Sequence, residues 1–154
     1  MSYINLSHCY NAFRGLCNIT ITADENDVDG WITGNLAKIL SVATDLERLC
    51  VYGADGTFHI STKYILSTTT WSRLTSLDFL YTTLDQGDFL DLLRRHSGTL
   101  EDIDLFCICL TNGSGKILLE GTKPSLSLQH ISIDHPSEED GKEIYLNKNA
   151  VFTN

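Results

Sequence analysis

The chain has 154 residues, of which 42% are hydrophobic and 20% are charged, so it can bury the core of one domain and is too apolar for wholesale disorder. Its formal net charge of −9 repels phosphate backbones, which argues against nucleic acid and favours a protein partner with a basic surface. No apolar stretch approaches the roughly 18–20 residues of a membrane span, and Met1–Asn5 does not open a signal peptide. We therefore expect a cytoplasmic protein without a membrane partner. The nucleus is the alternative compartment.

The N-terminal flank, residues 1–15, contains a short apolar alternation at Ile4 and Leu6. Alternation of this kind is typical of a strand, because successive side chains of a strand point to opposite faces. We interpret the flank as a cap formed by the remnant of an earlier repeat.

A six-residue pattern, L-x-x-L-x-L with aliphatic or aromatic substitutes, recurs five times within residues 16–135. The copies follow one another at intervals of 26 to 30 residues and begin at Leu16, Leu46, Leu74, Leu100 and Leu128. In x-L-x-L the two apolar side chains point to one side of a strand, and we expect the leading leucine to pack into the same core. Because one copy cannot bury its apolar side alone, we predict an α/β leucine-rich-repeat solenoid of about five repeats, with a parallel sheet on its concave face and helices on its convex face.

The segments between these strands are predicted to return as helices. An apolar stripe at helical spacing runs through residues 36–43, with Thr33 as the candidate N-cap. A second helix is predicted over residues 89–96, where it ends in a basic turn that suits a helix C-terminus. Shorter helical candidates cover residues 61–66 and 115–119.

The C-terminal flank, residues 136–154, is polar: residues 137–141 indicate a turn or loop, and Ile144 and Leu146 indicate a closing strand. Neither flank looks like a strong cap, so the first and last strands of the repeats would each leave one backbone edge unpaired. The flanks can fold back over those edges, or a terminal repeat can pair with a second copy of the chain. We favour the second solution, a homodimer through a terminal repeat.

Several segments resemble the leucine-rich repeats of fungal F-box proteins. The joint A-x-x-L-x-x-L occurs at residues 43–49, and L-T-x-G-S occurs at residues 110–114. Residues 89–100 follow L-x-x-L-L-x-x-H-x-x-T-L with Phe89 in place of the first leucine. The resemblance extends over roughly residues 36–133. It implies the repeat fold and a recognition role, as in a substrate receptor of a ubiquitin ligase. The F-box that docks the Skp adaptor has no counterpart within residues 1–154, and Gly115 stands where the family has tryptophan.

Two loops resemble ligand-binding motifs, but each lacks a required residue. Residues 25–32 are spaced like an EF-hand loop, yet Leu36 stands where the bidentate Glu is needed, so we interpret them as a solvated acidic loop. Residues 113–116 resemble the end of a phosphate-binding loop, yet Ile117 replaces the Ser or Thr that holds magnesium. We therefore expect neither metal nor cofactor.

Cysteine and histidine usage does not indicate catalysis. The five cysteines are odd in number and favour buried free thiols; we expect Cys109 to face the core and Cys107 to flank its strand. His96, at a helix end, is expected to be structural, whereas His130 and His135 could contact a partner. Since no nucleophile, base and orienting group converge, we expect no enzymatic activity.

Strand alternation also predicts which residues face a partner. The residues between the core leucines should lie on the concave face, where aromatic side chains mix with carboxylates, as on many protein-recognition surfaces. The candidate partner-binding residues are Arg48, Tyr52, Asp78, Leu80, Tyr81, Asp102, Asp104, Phe106, His130 and Asp134. The alternatives are an idle sheet surface, a secreted effector-like protein, and an enzyme or metal-binding protein with its site in irregular loops.

Overall fold

The computed structural model describes residues 12–23, 35–53, 60–66, 69–122 and 128–138. Short strands and helices alternate along these ranges. Their bounds are β1 Asn18–Ala23, α1 Asn35–Val42, β2 Arg48–Gly53, β3 Ile60–Ser61, α2 Lys63–Leu66, β4 Ser76–Leu80, β5 Thr82–Asp85, α3 Gln86–Arg95, β6 Asp102–Phe106, β7 Cys109–Thr111, α4 Gly115–Thr122, β8 His130–Asp134 and β9 Ser137–Glu138.

The principal sheet is parallel and has the strand order β1-β2-β4-β6-β8. Its register places the same position of each repeated pattern side by side: Leu49 lies opposite Leu77, and Leu77 lies opposite Ile103. The prediction of an α/β fold with a parallel sheet, and of one core column through these residues, is confirmed.

Two columns of inward side chains from the principal sheet form one side of the core. Leu49, Leu77 and Ile103 are fully buried, as are Phe79 and Leu105 in the neighbouring column. The helices close the other side with Leu40, Phe89, Leu92 and Leu118. Full burial of one such side chain contributes about 1.5–3 kcal/mol, so the stacked columns are the main source of stability.

The leading leucines of the pattern do not all behave alike. Leu46, Leu74 and Leu100 are fully buried, but Leu16 remains 37% exposed. The prediction that each leading leucine packs into the core is therefore wrong for Leu16. The physical reason is that the described part of the chain supplies no unit on the N-terminal side of Leu16 to cover it.

A second parallel sheet, in the order β3-β5-β7-β9, was not predicted from the sequence. Its strands are only two to four residues long, too short for a visible alternation. Three of them follow a corner at which a non-glycine residue has positive φ: Tyr81 at 52°, Cys107 at 49° and His135 at 49°. Such a backbone conformation is uncommon outside glycine and turns the chain sharply from one sheet into the other.

The corners overturn two sequence-based expectations. Cys109 does not face the core: it is half-buried in β7, and its neighbour Leu110 is buried instead, because the corner at Cys107 resets the alternation. Ser137 and Glu138 are not a loop, since they pair with Cys109 and Leu110 as strand β9. The rest of residues 137–141 lies outside the described residues.

The helices occur where the sequence predicts them. Helix α3 begins at Gln86, three residues before the predicted start, because the Asp85 carboxylate accepts a hydrogen bond from the Asp88 backbone N–H at 3.1 Å and caps the helix. Hydrogen bonds from the Asn112 side chain and from that amide lower the pKa of Asp85. The predicted N-cap Thr33, the acidic loop 25–32 and the strand candidates of residues 1–11 and 139–154 lie outside the described residues.

Candidate protein-binding face

The outward side chains of the principal sheet form three rows, which we call the outer face. Each row contains one residue from each of the five strands, placed side by side by the parallel register. The first row is Asn18, Arg48, Ser76, Asp102, His130; the middle row is Thr20, Cys50, Asp78, Asp104, Ser132; and the third row is Thr22, Tyr52, Leu80, Phe106, Asp134.

Nine of the ten residues proposed from the sequence lie on this face, and the tenth, Tyr81, lies at the corner beside it. Their exposure differs, however. Asp102 and Asp104 are exposed, while Tyr52, Leu80 and Phe106 are half-buried. The periodicity of the sequence thus identifies the face but not how much of each side chain a partner could reach.

The outer face is acidic. It carries four carboxylates, from Asp78, Asp102, Asp104 and Asp134, and one permanently cationic side chain, Arg48. The Arg48 guanidinium lies 3.7 Å from the Asp78 carboxylate and donates a hydrogen bond to Ser76 Oγ at 3.2 Å. Within the described ranges no Lys or Arg lies within ion-pair distance of Asp102 or Asp104. Among the described residues, no ion pair therefore neutralises the negative charge of these two carboxylates.

Cys50 lies at the centre of the face but is only 6% exposed. Its Sγ donates a hydrogen bond to Asp78 Oδ2 at 2.9 Å. Burial, followed by the hydrogen bond to the Asp78 carboxylate, raises the pKa of the Cys50 thiol to about 11. Since the thiolate is the nucleophile, this thiol is poorly suited to covalent catalysis near neutral pH.

The other described cysteines, Cys17, Cys107 and Cys109, are free and half-buried. The expectation of buried free thiols thus holds for Cys50 alone among the cysteines that the structure describes. Burial also raises the pKa of Cys107.

Three rings line the border of the face next to the corners, and we call Tyr81, Phe106 and His135 the aromatic row. Phe106 makes edge-to-face contacts with both neighbours, at ring-centroid distances of 5.7 Å to Tyr81 and 5.6 Å to His135. Strand alternation alone places His135 on the opposite side from Asp134. The left-handed corner at His135 instead turns its ring toward Phe106, which the sequence pattern could not indicate.

The motifs that resemble ligand-binding loops do not assemble a site in the described residues. The Ser114 backbone N–H, which a phosphate-binding loop would present to its ligand, donates to Gln86 Oε1 at 2.6 Å. No group of three or more His, Cys, Asp or Glu residues in the described ranges is placed to hold a metal ion. His96 is 2% exposed, with both ring nitrogens bound to the backbone, which matches its expected structural role.

Searches with family models, among curated proteins and among solved structures found no match to this chain. No helix in the described ranges is long and apolar enough to cross a membrane.

Proposed function

We propose that the chain is a short leucine-rich-repeat solenoid that binds a protein with a basic surface through the outer face of its principal sheet. The observation that carries this proposal is the acidic outer face with aromatic rings along its border. The repeat assignment is supported by strand–helix units that recur at 26 to 30 residues and keep an unbroken parallel register. In such a solenoid the principal sheet lines the concave side.

Electrostatics favour a basic partner. Asp78 and Asp104 are register neighbours, and like charges side by side on adjacent strands destabilise a sheet. A cationic partner removes part of this repulsion when it binds. Complementary charge also accelerates encounter and rejects acidic partners, so the face would select its partner as well as hold it.

The aromatic row supplies the second requirement, which is apolar contact area. Aromatic side chains are enriched among the few residues that carry most of the binding energy of an interface. Tyr81 and Phe106 are half-buried, so their rings are already partly fixed and lose little conformational entropy on binding. An acidic surface beside fixed rings fits protein recognition better than an idle surface that only maintains solubility.

A relation to F-box substrate receptors is part of this proposal and rests on the sequence resemblance over residues 36–133. On this view the chain recognises a substrate in the manner of such a receptor. Co-purification of the Skp adaptor with the chain would support a retained link to a ubiquitin ligase, and its absence from the captured set would contradict that link.

The proposal is tested by affinity capture from the native cell with the unaltered chain and with an Asp102→Lys, Asp104→Lys variant. The control is Asp91→Lys, which makes the same type of charge change at an exposed position of α3. We expect the control to retain partners that the double variant loses, and we expect their retention to weaken with added salt. An identical captured set for all three proteins would overturn the proposal.

A further inference from the structure

We propose that the outer face contains a subsite for an arginine side chain, built from the aromatic row and the carboxylates of Asp104 and Asp134. This inference rests on the proposed function and specifies the chemistry of the partner. It implies that the bound segment is an extended basic peptide whose arginine lies against the ring of Phe106.

Phe106 is the centre of this subsite because carboxylates flank it in two directions. Asp104 lies two residues earlier on β6, on the same side of the strand and roughly 7 Å away along it. Asp134 is the register partner of Phe106 on β8, one strand spacing of about 4.8 Å away. A cation placed over the Phe106 ring is therefore within reach of both carboxylates.

The two carboxylates are available for a partner. Asp104 is exposed and forms no ion pair with any Lys or Arg in the part of the chain that the structure describes. Among the described residues, the charge-bearing neighbour of Asp134 is the exposed His135 ring, whose Nδ1 lies 3.9 Å from Asp134 Oδ1. Arg48 lies on the far side of the face beside Asp78 and does not neutralise either group.

Arginine fits this arrangement better than lysine. A guanidinium is planar, so it can stack on an aromatic ring and at the same time donate two parallel hydrogen bonds to a carboxylate. The edge-to-face contacts hold the Phe106 ring between Tyr81 and His135, which fixes the ring that such a plane would lie against. Lysine ammonium, a strongly hydrated point charge, would use the carboxylates but gain less from the rings.

The test measures binding of three fluorescent heptapeptides to the full chain by fluorescence anisotropy. They alternate glycine with arginine, with lysine or with citrulline, the uncharged analogue of arginine. We expect the arginine peptide to bind about three- to five-fold more tightly than the lysine peptide, and the citrulline peptide to bind most weakly.

Variants assign these differences to the subsite. Phe106→Leu should remove the preference for arginine over lysine, and Asp104→Asn should weaken binding of both cationic peptides. The matched controls are Phe13→Leu, a half-buried phenylalanine that precedes β1, and Asp91→Asn on α3, and both should leave the affinities unchanged. Equal affinities for the arginine and lysine peptides, or a preference that survives Phe106→Leu, would overturn the inference.

Failure of the subsite is distinguishable from failure of the proposed function. If the arginine preference is missing while the Asp102→Lys, Asp104→Lys variant still loses its cellular partners, the face binds through charge alone and only this inference falls. If that variant also keeps its partners, both proposals fall. A dimer that Phe106→Leu converts to a monomer would show that a second copy occupies the face, which also overturns the inference.

Discussion

The backbone N–H of Trp71 donates a hydrogen bond to Nε2 of His96 at 2.9 Å, and the two rings stack with their centroids 5.7 Å apart. Nδ1 of His96 lies 2.8 Å from the Leu92 carbonyl oxygen, which can only accept, so the proton resides on Nδ1 and the imidazole is neutral. Trp71 in turn donates from Nε1 to the Leu40 carbonyl at 3.0 Å. One buried pair thus links helices α1 and α3 of different units.

Acid should weaken the fold through His96. Burial lowers the pKa of His96 below the ordinary 6.5. As the pH falls below about 6.5, the unfolded chain therefore binds the proton before the folded chain does. The free energy of unfolding decreases until the pH has passed the folded-state pKa. A single proton gives a slope of at most about 1.4 kcal/mol per pH unit. Urea unfolding at several pH values between 7.5 and 5.5 measures this slope.

The control for this pH dependence is His96→Gln, which cannot titrate. It should be less stable at pH 7.5 by about 1–3 kcal/mol, since it loses buried hydrogen bonds and ring stacking. The difference in free energy of unfolding between this variant and the unaltered chain should become smaller as the pH falls. A constant difference across the range would show that His96 is not the titrating group.

Thr82 offers a stabilising substitution. Its hydroxyl is fully buried and has no hydrogen-bond partner among the described residues. Thr82→Val removes this unsatisfied group at nearly constant volume and should raise the free energy of unfolding by about 1 kcal/mol. The matched control is Thr62→Val, because the equally buried Thr62 hydroxyl donates to the Thr83 carbonyl at 3.1 Å. Chemical denaturation should therefore show opposite signs for the two variants.

Gly113 is required for close contact between successive units. A methyl group at this position would overlap the buried Gln86 side chain, whose Oε1 accepts from the Ser114 backbone N–H. Gly113→Ala should lower the free energy of unfolding by about 1–3 kcal/mol. In a Gln86→Gly background, which also removes the Cβ that would lie 2.5 Å from the new methyl group, the same substitution should cost far less, and a double-mutant cycle measures this coupling. Additive costs would mean that the two residues do not compete for the same space.

The Cys50 thiol should resist alkylation. With a pKa raised to about 11, it holds little thiolate at pH 8, so iodoacetamide should modify it far more slowly than it modifies glutathione. Asp78→Asn removes the carboxylate that stabilises the protonated form and should accelerate the reaction. Peptide mapping by mass spectrometry at successive times measures the alkylated fraction of Cys50. Rapid labelling of the unaltered chain would contradict the buried geometry.

Self-association should depend on Leu16. It is 37% exposed at the N-terminal end of the described core, next to β1, which lies at one edge of the principal sheet. We expect a concentration-dependent dimer in light scattering that Leu16→Lys weakens. Ile117→Lys is the matched control, because Ile117 is an exposed apolar residue on α4, away from that edge. A monomeric mass at all concentrations would instead mean that the flanks suffice as caps.

Local patterns in the sequence were sufficient for the parallel sheet and its two faces. Alternation is a property of the strand backbone itself, so Leu49 and Val51 point inward and Arg48 points outward whatever their neighbours are. Repetition at near-constant spacing then predicts that equivalent strands stack, because no single unit can bury its apolar side. The helix ends were predicted within a few residues, and the start of α3 was placed three residues too late because the Asp85 cap was not recognised.

The corners and the aromatic row depended on the tertiary structure. The Tyr81 backbone N–H donates to the Phe106 carbonyl, and the Cys107 N–H donates to the Asp134 carbonyl. These bonds to the next unit help to hold non-glycine residues in a left-handed conformation that costs about 1–2 kcal/mol each when isolated. No signal within one repeat predicts them, because the bond partner comes from the following repeat. The position of His135 beside Phe106, the presence of the second sheet and the half-exposed Cys109 were therefore decided only when the units stacked.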